Sequence, residues 1–235
     1  MTLKPIKGVI FDKDGTLFDF NATWGAWARN VIEAETAGDP DQLRPLAKAL
    51  GYDLAAGQFL PESLVIASTV DQIAQAVLPF VVETDPDALI VRFNAAAALA
   101  PQVEAVPLQE FITALKSLGL LVGVATNDAE RSARAHLVSA DIATLFDFIA
   151  GYDSGFGGKP APGQLLGFCD ATGLTPSECV MVGDSTHDLQ AGRAAGMATV
   201  AVLTGVAGRD ALTPHADKVL NSIAELPDWL GLKLA

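Results

Sequence analysis

The sequence predicts an α/β fold: a doubly wound parallel sheet, interrupted early by an all-helical insertion. Four short apolar runs, IKGVIF (6–11), LGLLVGVAT (118–126), CVMVGD (179–184) and MATVAVL (197–203), are nearly continuous rather than alternating, as strands buried on both faces are. From 105 onward such runs alternate with helical patterns, the signature of a sheet covered by helices. Between about 20 and 104 that rhythm breaks, and helical segments follow one another with no convincing strand. The expected organisation is a core of residues 1–19 and 105–235, with a helical unit of residues 20–104 set into it.

Each element has its own signal. The first strand, GVIF, is apolar throughout and runs into Asp12. In the insertion, NATWGAWARNVIEAETA, PDQLRPLAKAL, PESLVIASTVDQIAQAVL and DPDALIVRFNAAAALA read as helices. Pro40, Pro61, Pro79, Pro86 and Pro101 punctuate them, as prolines at helix starts and boundaries do. PLQEFITALKSLG places apolar residues at 108, 111, 112, 115 and 118 and stops at Gly119. DAERSARAHLVSA is expected to start after Asn127 or Asp128 as N-cap. FDFIAG (146–151) is a short strand, and DLQAGRAAG is a helix ending at Gly196.

With 235 residues and half of them hydrophobic, the chain can bury a sizeable core and is not a disordered segment. A net charge of −13 argues against a nucleic-acid partner, because phosphate backbones are gripped by Lys and Arg. An anionic substrate would therefore need a local positive site, such as a metal ion. The two cysteines, Cys169 and Cys179, show no metal-ligand spacing, and a reduced, cytoplasmic setting is the default. No signal peptide is visible, and the longest uncharged stretch, 194–208, is too short and glycine-rich to span a bilayer.

Chemistry-bearing residues recur just after strands, where open α/β sheets bind their ligands. Asp12 and Asp14 follow GVIF, Thr126 and Asn127 follow LVGVA, Lys159 lies in GFGGKPAP, and Asp184 and Asp188 lie in VMVGDSTHD. Three or four acids, a hydroxyl and an ammonium at one sheet edge suit phosphoryl transfer. Clustered carboxylates call for a divalent cation, and hard oxygen ligands suit Mg²⁺. Lys159 and that cation would offset the charge of an incoming phosphate. Asp12 can attack phosphorus, and Asp14 can give a proton to the leaving oxygen and later take one from water. Gly15 permits a sharp turn that turns N–H groups toward phosphate. Thr126 and the N–H of Asn127, near a helix start, are further phosphate donors.

In order and spacing, DKDGT, ATN, GKPAP and GDSTHD resemble the four motifs of haloacid dehalogenase superfamily phosphatases. The resemblance implies a Rossmann-like core, with Asp12 as nucleophile and Asp14 as general acid/base. It implies phosphate binding by Thr126 and Lys159. Mg²⁺ would be held by Asp12, Asp184 and the backbone carbonyl of Asp14. Asp188 would orient Lys159 or a metal-bound water, and Thr16 would support the first loop. The long gap from Thr16 to Thr126, against 33 positions from Thr126 to Lys159, is similar to members with a helical cap after motif one, such as phosphoglycolate phosphatases.

The expected substrate is thus a small phosphate ester, with 2-phosphoglycolate the best single guess. A sugar phosphomutase would use the same motifs but return the phosphate to substrate. A non-catalytic phosphate-binding protein would keep the fold without turnover. A dehalogenase needs neither metal nor second acid, and an ion pump carries Thr where this chain has Asp14. Lys13 departs from the hydrophobic residue common at its position. Trp24 and Trp27, at i and i+3, read as cap core, and Arg44 and Lys48 as a solvated face. His187 is expected beside the site, and His136 and His215 have no evident partner.

Overall fold

A computed structural model describes residues 5–60, 62–66 and 68–232. Pro61, read above as a boundary, lies outside them, as do residues 1–4 and 233–235 of the expected core. The first strand, β1 (Gly8–Phe11), is the centre of the molecule: Val9, Ile10 and Phe11 are fully buried. The alternation of its side chains explains why the run had to be apolar throughout. Val9 and Phe11 join one core cluster with Val122, Val124, Val180 and Val182, while Ile10 joins another with Phe168 and Met181.

Two short strands, β2 (Tyr52–Asp53) and β3 (Gln58–Phe59), pair antiparallel in the insertion. The remaining strands are β4 (Leu121–Ala125), β5 (Phe148–Ala150), β6 (Cys179–Gly183), β7 (Ala198–Val202) and β8 (Lys218–Leu220). They form a sheet of order β5-β4-β1-β6-β7-β8, parallel throughout. The order reverses around β1, with Gly8 level with both Leu121 and Cys179. The carboxyl ends of β1, β4 and β6 therefore open into one crevice.

The insertion carries helices α1 (Phe20–Thr36), α2 (Pro40–Leu50), α3 (Val70–Val77) and α4 (Pro86–Ala97). Asp19, Asp39 and Asp85 cap α1, α2 and α4 with their side chains, and Pro40 and Pro86 take the first helical turn. These helices enclose a separate cluster with Trp27, Ile32, Leu46, Leu50, Leu89 and Phe93 at its centre. Chain entry and exit run side by side: Asp19 N donates to Val103 O at 2.8 Å, and Ala105 N to Leu17 O at 2.9 Å.

Further along lie α5 (Leu108–Ser117), α6 (Glu130–Ser139), α7 (Gly163–Thr172) and α8 (Thr186–Ala195), which cover the sheet. The structure adds three details to the sequence reading. The insertion is helical apart from the β2–β3 hairpin, whose strands of two residues each are too short to show alternation. β8 extends the sheet by an edge strand. And α6 starts at Glu130 with Ala129 as N-cap, because the Asp128 side chain is turned to the interior. No helix among the described residues is long and apolar enough to cross a membrane.

Candidate active site

At the carboxyl end of β1 the backbone passes Asp12, whose N–H donates to Val182 O at 2.8 Å, then Asp14, and turns at Gly15 with φ +84°. Only glycine is at ease in that conformation, and a Cβ there would also overlap the Asp184 carboxylate. Gly205, across the loop after β7, is pressed against the same carboxylate. Asp184 is thus wedged between two glycines and is almost fully buried.

Lys159 ties the crevice together. Its Nζ reaches Asp12 Oδ1 at 2.5 Å, Asp188 Oδ1 at 2.7 Å and the Ala125 carbonyl at 2.7 Å. Its loop is held by Asn127, which donates to Lys159 O at 2.9 Å and accepts from Lys159 N at 2.8 Å. Asp188 serves twice. Its Oδ2 accepts from the Ser185 N–H and hydroxyl as part of the α8 capping box, while Oδ1 pairs with Lys159. Thr126 is buried, and its Oγ1 accepts from Asp128 N at 3.1 Å. Thr16 is buried too, and its hydroxyl has no hydrogen-bond partner among the described residues.

Carboxylate oxygens of Asp12, Asp184 and Asp188 lie within 4.8 Å of one another. Three buried acids against one ammonium leave an excess of negative charge. Burial, reinforced by Asp188 and Asp14 against the pull of Lys159, pushes the Asp12 carboxyl up to about 7. Burial, with Asp12 and Asp188, raises Asp184 well above the usual carboxylate range. Burial works to lower Lys159, but Asp12 and Asp188 outweigh it, and its pKa is raised. An all-oxygen donor set with surplus charge fits a hard divalent cation. The carboxylate of Asp14 is not in this cluster, because it is turned to Lys13.

All the residues that sequence reasoning singled out at the strand ends meet here. Asp12, Asp14, Thr126, Asn127, Lys159, Asp184 and Asp188 line one cavity of about 60 Å³, together with Ser185 and His187. From the insertion come Phe20, Trp24, Trp27, Val65, Ile73 and Asn94. Trp27 is both core and wall: its Nε1 donates to Phe93 O at 3.2 Å. Arg44 and Lys48 are exposed and away from the cavity.

Two groups were missed. Gln164, fully buried, donates to Thr126 O at 2.9 Å and Gly157 O at 3.1 Å, joining the second and third loops. Lys13 is also fully buried, and it is bonded to His136, which therefore does have partners. A charged residue between two acids at the end of a buried strand was the available signal for Lys13.

The family model for haloacid dehalogenase-like hydrolases matches residues 6–196. The chain belongs to this family. Among curated proteins, it is 34% identical over 232 residues to a phosphoglycolate phosphatase of Chromobacterium violaceum, covering 98% of this chain and 99% of that one. It is 31% identical over 230 residues to a phosphoglycolate phosphatase of Rhodospirillum rubrum, covering 96% and 91%. The fold of this haloacid dehalogenase-like hydrolase is shared with a crystal structure of a predicted phosphoglycolate phosphatase from Haemophilus somnus (TM-score 0.73, 20% identity, 96% and 98% covered). It is also shared with that of a β-phosphoglucomutase from Clostridium difficile (TM-score 0.65, 20% identity, 94% and 93% covered).

Proposed function

We propose that the protein is a Mg²⁺-dependent phosphomonoester hydrolase of the cytoplasm that works through an aspartyl-phosphate on Asp12, with 2-phosphoglycolate the first substrate to test. The observation that carries the reading is the Asp12–Lys159 pair at 2.5 Å, set among Asp184 and Asp188 and two residues from Asp14. The substrate choice rests on the names of the two full-length relatives. The insertion, residues 20–104, acts as the cap that sets selectivity, since Phe20, Trp24 and Asn94 line the cavity opposite the acids.

In this reading Lys159 holds Oδ1 of Asp12, leaving the other oxygen to attack phosphorus. The P–O bond to the alcohol breaks as Asp14 supplies the proton that the departing oxygen needs. Asp14, now a carboxylate, takes a proton from the water that attacks the aspartyl-phosphate, and inorganic phosphate leaves. Thr126, Asn127 and Lys159 donate to the phosphoryl oxygens throughout. Mg²⁺, held by Asp12, Asp184 and the Asp14 carbonyl with Asp188 and Thr16 supporting that shell, would neutralise phosphoryl charge that these acids otherwise repel.

Phosphate release from a panel of phosphomonoesters, in Mg²⁺ and in EDTA, tests the assignment. Metal-independent release would contradict it, and isomer formation without net phosphate would point to a phosphomutase.

Stability should follow the same electrostatics. At about pH 6.5 the unfolded chain has Asp12 fully ionised, whereas in the folded, metal-free protein its carboxyl, pushed up to about 7, still holds its proton in part, and burial raises Asp184 in the same sense. The unfolded state then binds fewer protons, so stability falls as pH rises. His136, lowered to about 4 by burial and by Lys13, acts in the opposite sense only below 6.5. Melting temperature in EDTA should therefore decline from about pH 6.5 through about pH 7, where Asp12 titrates in the folded protein. Mg²⁺ at a hundredfold excess over Kd should raise it by roughly 5–10 °C. A flat metal-free profile with no response to Mg²⁺ would count against the site.

A further inference from the structure

The mechanism above leaves one buried cation without a task. Lys13 has no solvent exposure, yet its ammonium sits 2.6 Å from Asp14 Oδ1, 3.0 Å from His136 Nδ1 and 3.5 Å from Asp128 Oδ2. The Trp24 ring lies across its remaining side, 5.6 Å from Nζ to the centroid, a cation–π distance. A buried ammonium is costly unless its donors are used, and here they are committed to a defined set of acceptors.

The tautomer of His136 follows from its partners. Nε2 lies 2.7 Å from the Ala97 carbonyl, which can only accept, so Nε2 carries the hydrogen. Nδ1 therefore presents a lone pair, and the Lys13 ammonium, which can only donate, fills it. The chain of bonds runs in one direction: Lys13 donates to His136, and His136 donates to the end of α4. Lys13 is thereby anchored from behind and from above, at α6, at α4 and at Trp24 of α1. An ion pair with Asp128 holds it from the loop before α6, and its remaining short bond is to one oxygen of Asp14, a side chain that lines the cavity.

We infer that Lys13 is a positioning residue for Asp14: anchored by His136 and Trp24, it fixes Oδ1 of the carboxylate so that the other oxygen faces the reacting phosphate ester. This rests on the reading of Asp14 as the acid/base. The Lys13–His136–Ala97 chain is specific to this geometry, because each member has a partner of only one possible polarity.

The test separates proton delivery from general damage. An alkyl alcohol leaves phosphorus with difficulty unless protonated, whereas p-nitrophenolate leaves unaided. kcat/KM reports the first step only, up to alcohol release. Lys13→Met should lower kcat/KM for an alkyl phosphomonoester about 100-fold and for p-nitrophenyl phosphate less than about fivefold. On the nitrophenyl ester kcat should fall further than kcat/KM, with a burst of p-nitrophenolate, because the slowed base step leaves the aspartyl-phosphate standing. An equal loss on both esters, or no loss, overturns the inference.

Asp14→Asn, run alongside, should discriminate between the esters in the same way. If it does not, the acid/base reading fails rather than the role of Lys13. Should Lys13→Met not fold, His136→Phe decides: it keeps the cation and removes its acceptor. The expected loss is then about tenfold on the alkyl ester and under about twofold on the nitrophenyl ester. A uniform change, or none, overturns the inference there too.

Discussion

Asp12→Asn is expected to abolish phosphomonoester hydrolysis, by about 10⁴-fold or more, since removing the proposed nucleophile from a covalent mechanism would leave only binding and positioning. The fold should survive. Asn keeps an oxygen that can accept from Lys159 at the place where Asp12 Oδ1 stands 2.5 Å away. It also removes one of three mutually repelling buried carboxylates. In metal-free buffer above about pH 7 the variant should melt no lower than the parent, because the penalty on ionised Asp12 is gone. A phosphate-release assay checks the first statement, and thermal melts with and without Mg²⁺ check the second. Turnover that survives the substitution would rule out an aspartyl-phosphate on Asp12.

Lys159→Met should damage both stability and catalysis. The ammonium is the counter-charge for Asp12 and Asp188 and also bonds the Ala125 carbonyl. Removing one partner of a buried ion pair costs about 3–5 kcal/mol, which for a chain of this size lowers the melting temperature by roughly 6–20 °C. Mg²⁺ should recover part of that loss, because both cations answer the same excess of carboxylate. Turnover should fall about 10²–10³-fold, the usual effect of deleting one donor to a phosphoryl or oxyanion group. Melting curves in EDTA and in Mg²⁺, with rates under saturating Mg²⁺, separate the two effects. A loss of stability with unchanged rate would make Lys159 a structural ion only.

Much of this was legible in the sequence, for a definite reason. A parallel strand buried on both faces has to be apolar throughout, so GVIF, LVGVA, CVMVG and ATVAV stand out from their surroundings. The residues just past them must then lie at one edge of the sheet, which is why Asp12, Thr126 and Asp184 could be grouped although they are far apart in the chain. Pro40 and Pro86 marked two helix starts of the insertion for equally local reasons, and in the structure Asp39 and Asp85 cap those helices.

What escaped depends on partners distant in the chain. Lys13 stood out only as a departure from the hydrophobic residue common at its position, and only the fold brings His136, 123 positions away, against it. The same burial drew Asp128 inward and moved the start of α6 to Glu130. The β2–β3 hairpin failed for want of length, since two residues per strand carry no period.

The order in which the ribosome makes these parts has a consequence of its own. β1, the strand that runs into Asp12, emerges before its sheet neighbours, which begin at Leu121 and Cys179. At roughly 5–20 residues per second, on the order of 5–20 s pass before β4 exists, and longer before β6 does. Four apolar residues with both edges open wait through that interval. The intervening chain is the insertion, which encloses a core of its own. The nascent protein can therefore enclose the core of its insertion while β1 still lacks a sheet, and the cluster of Asp12, Asp184 and Asp188 can form only after β6 has been made.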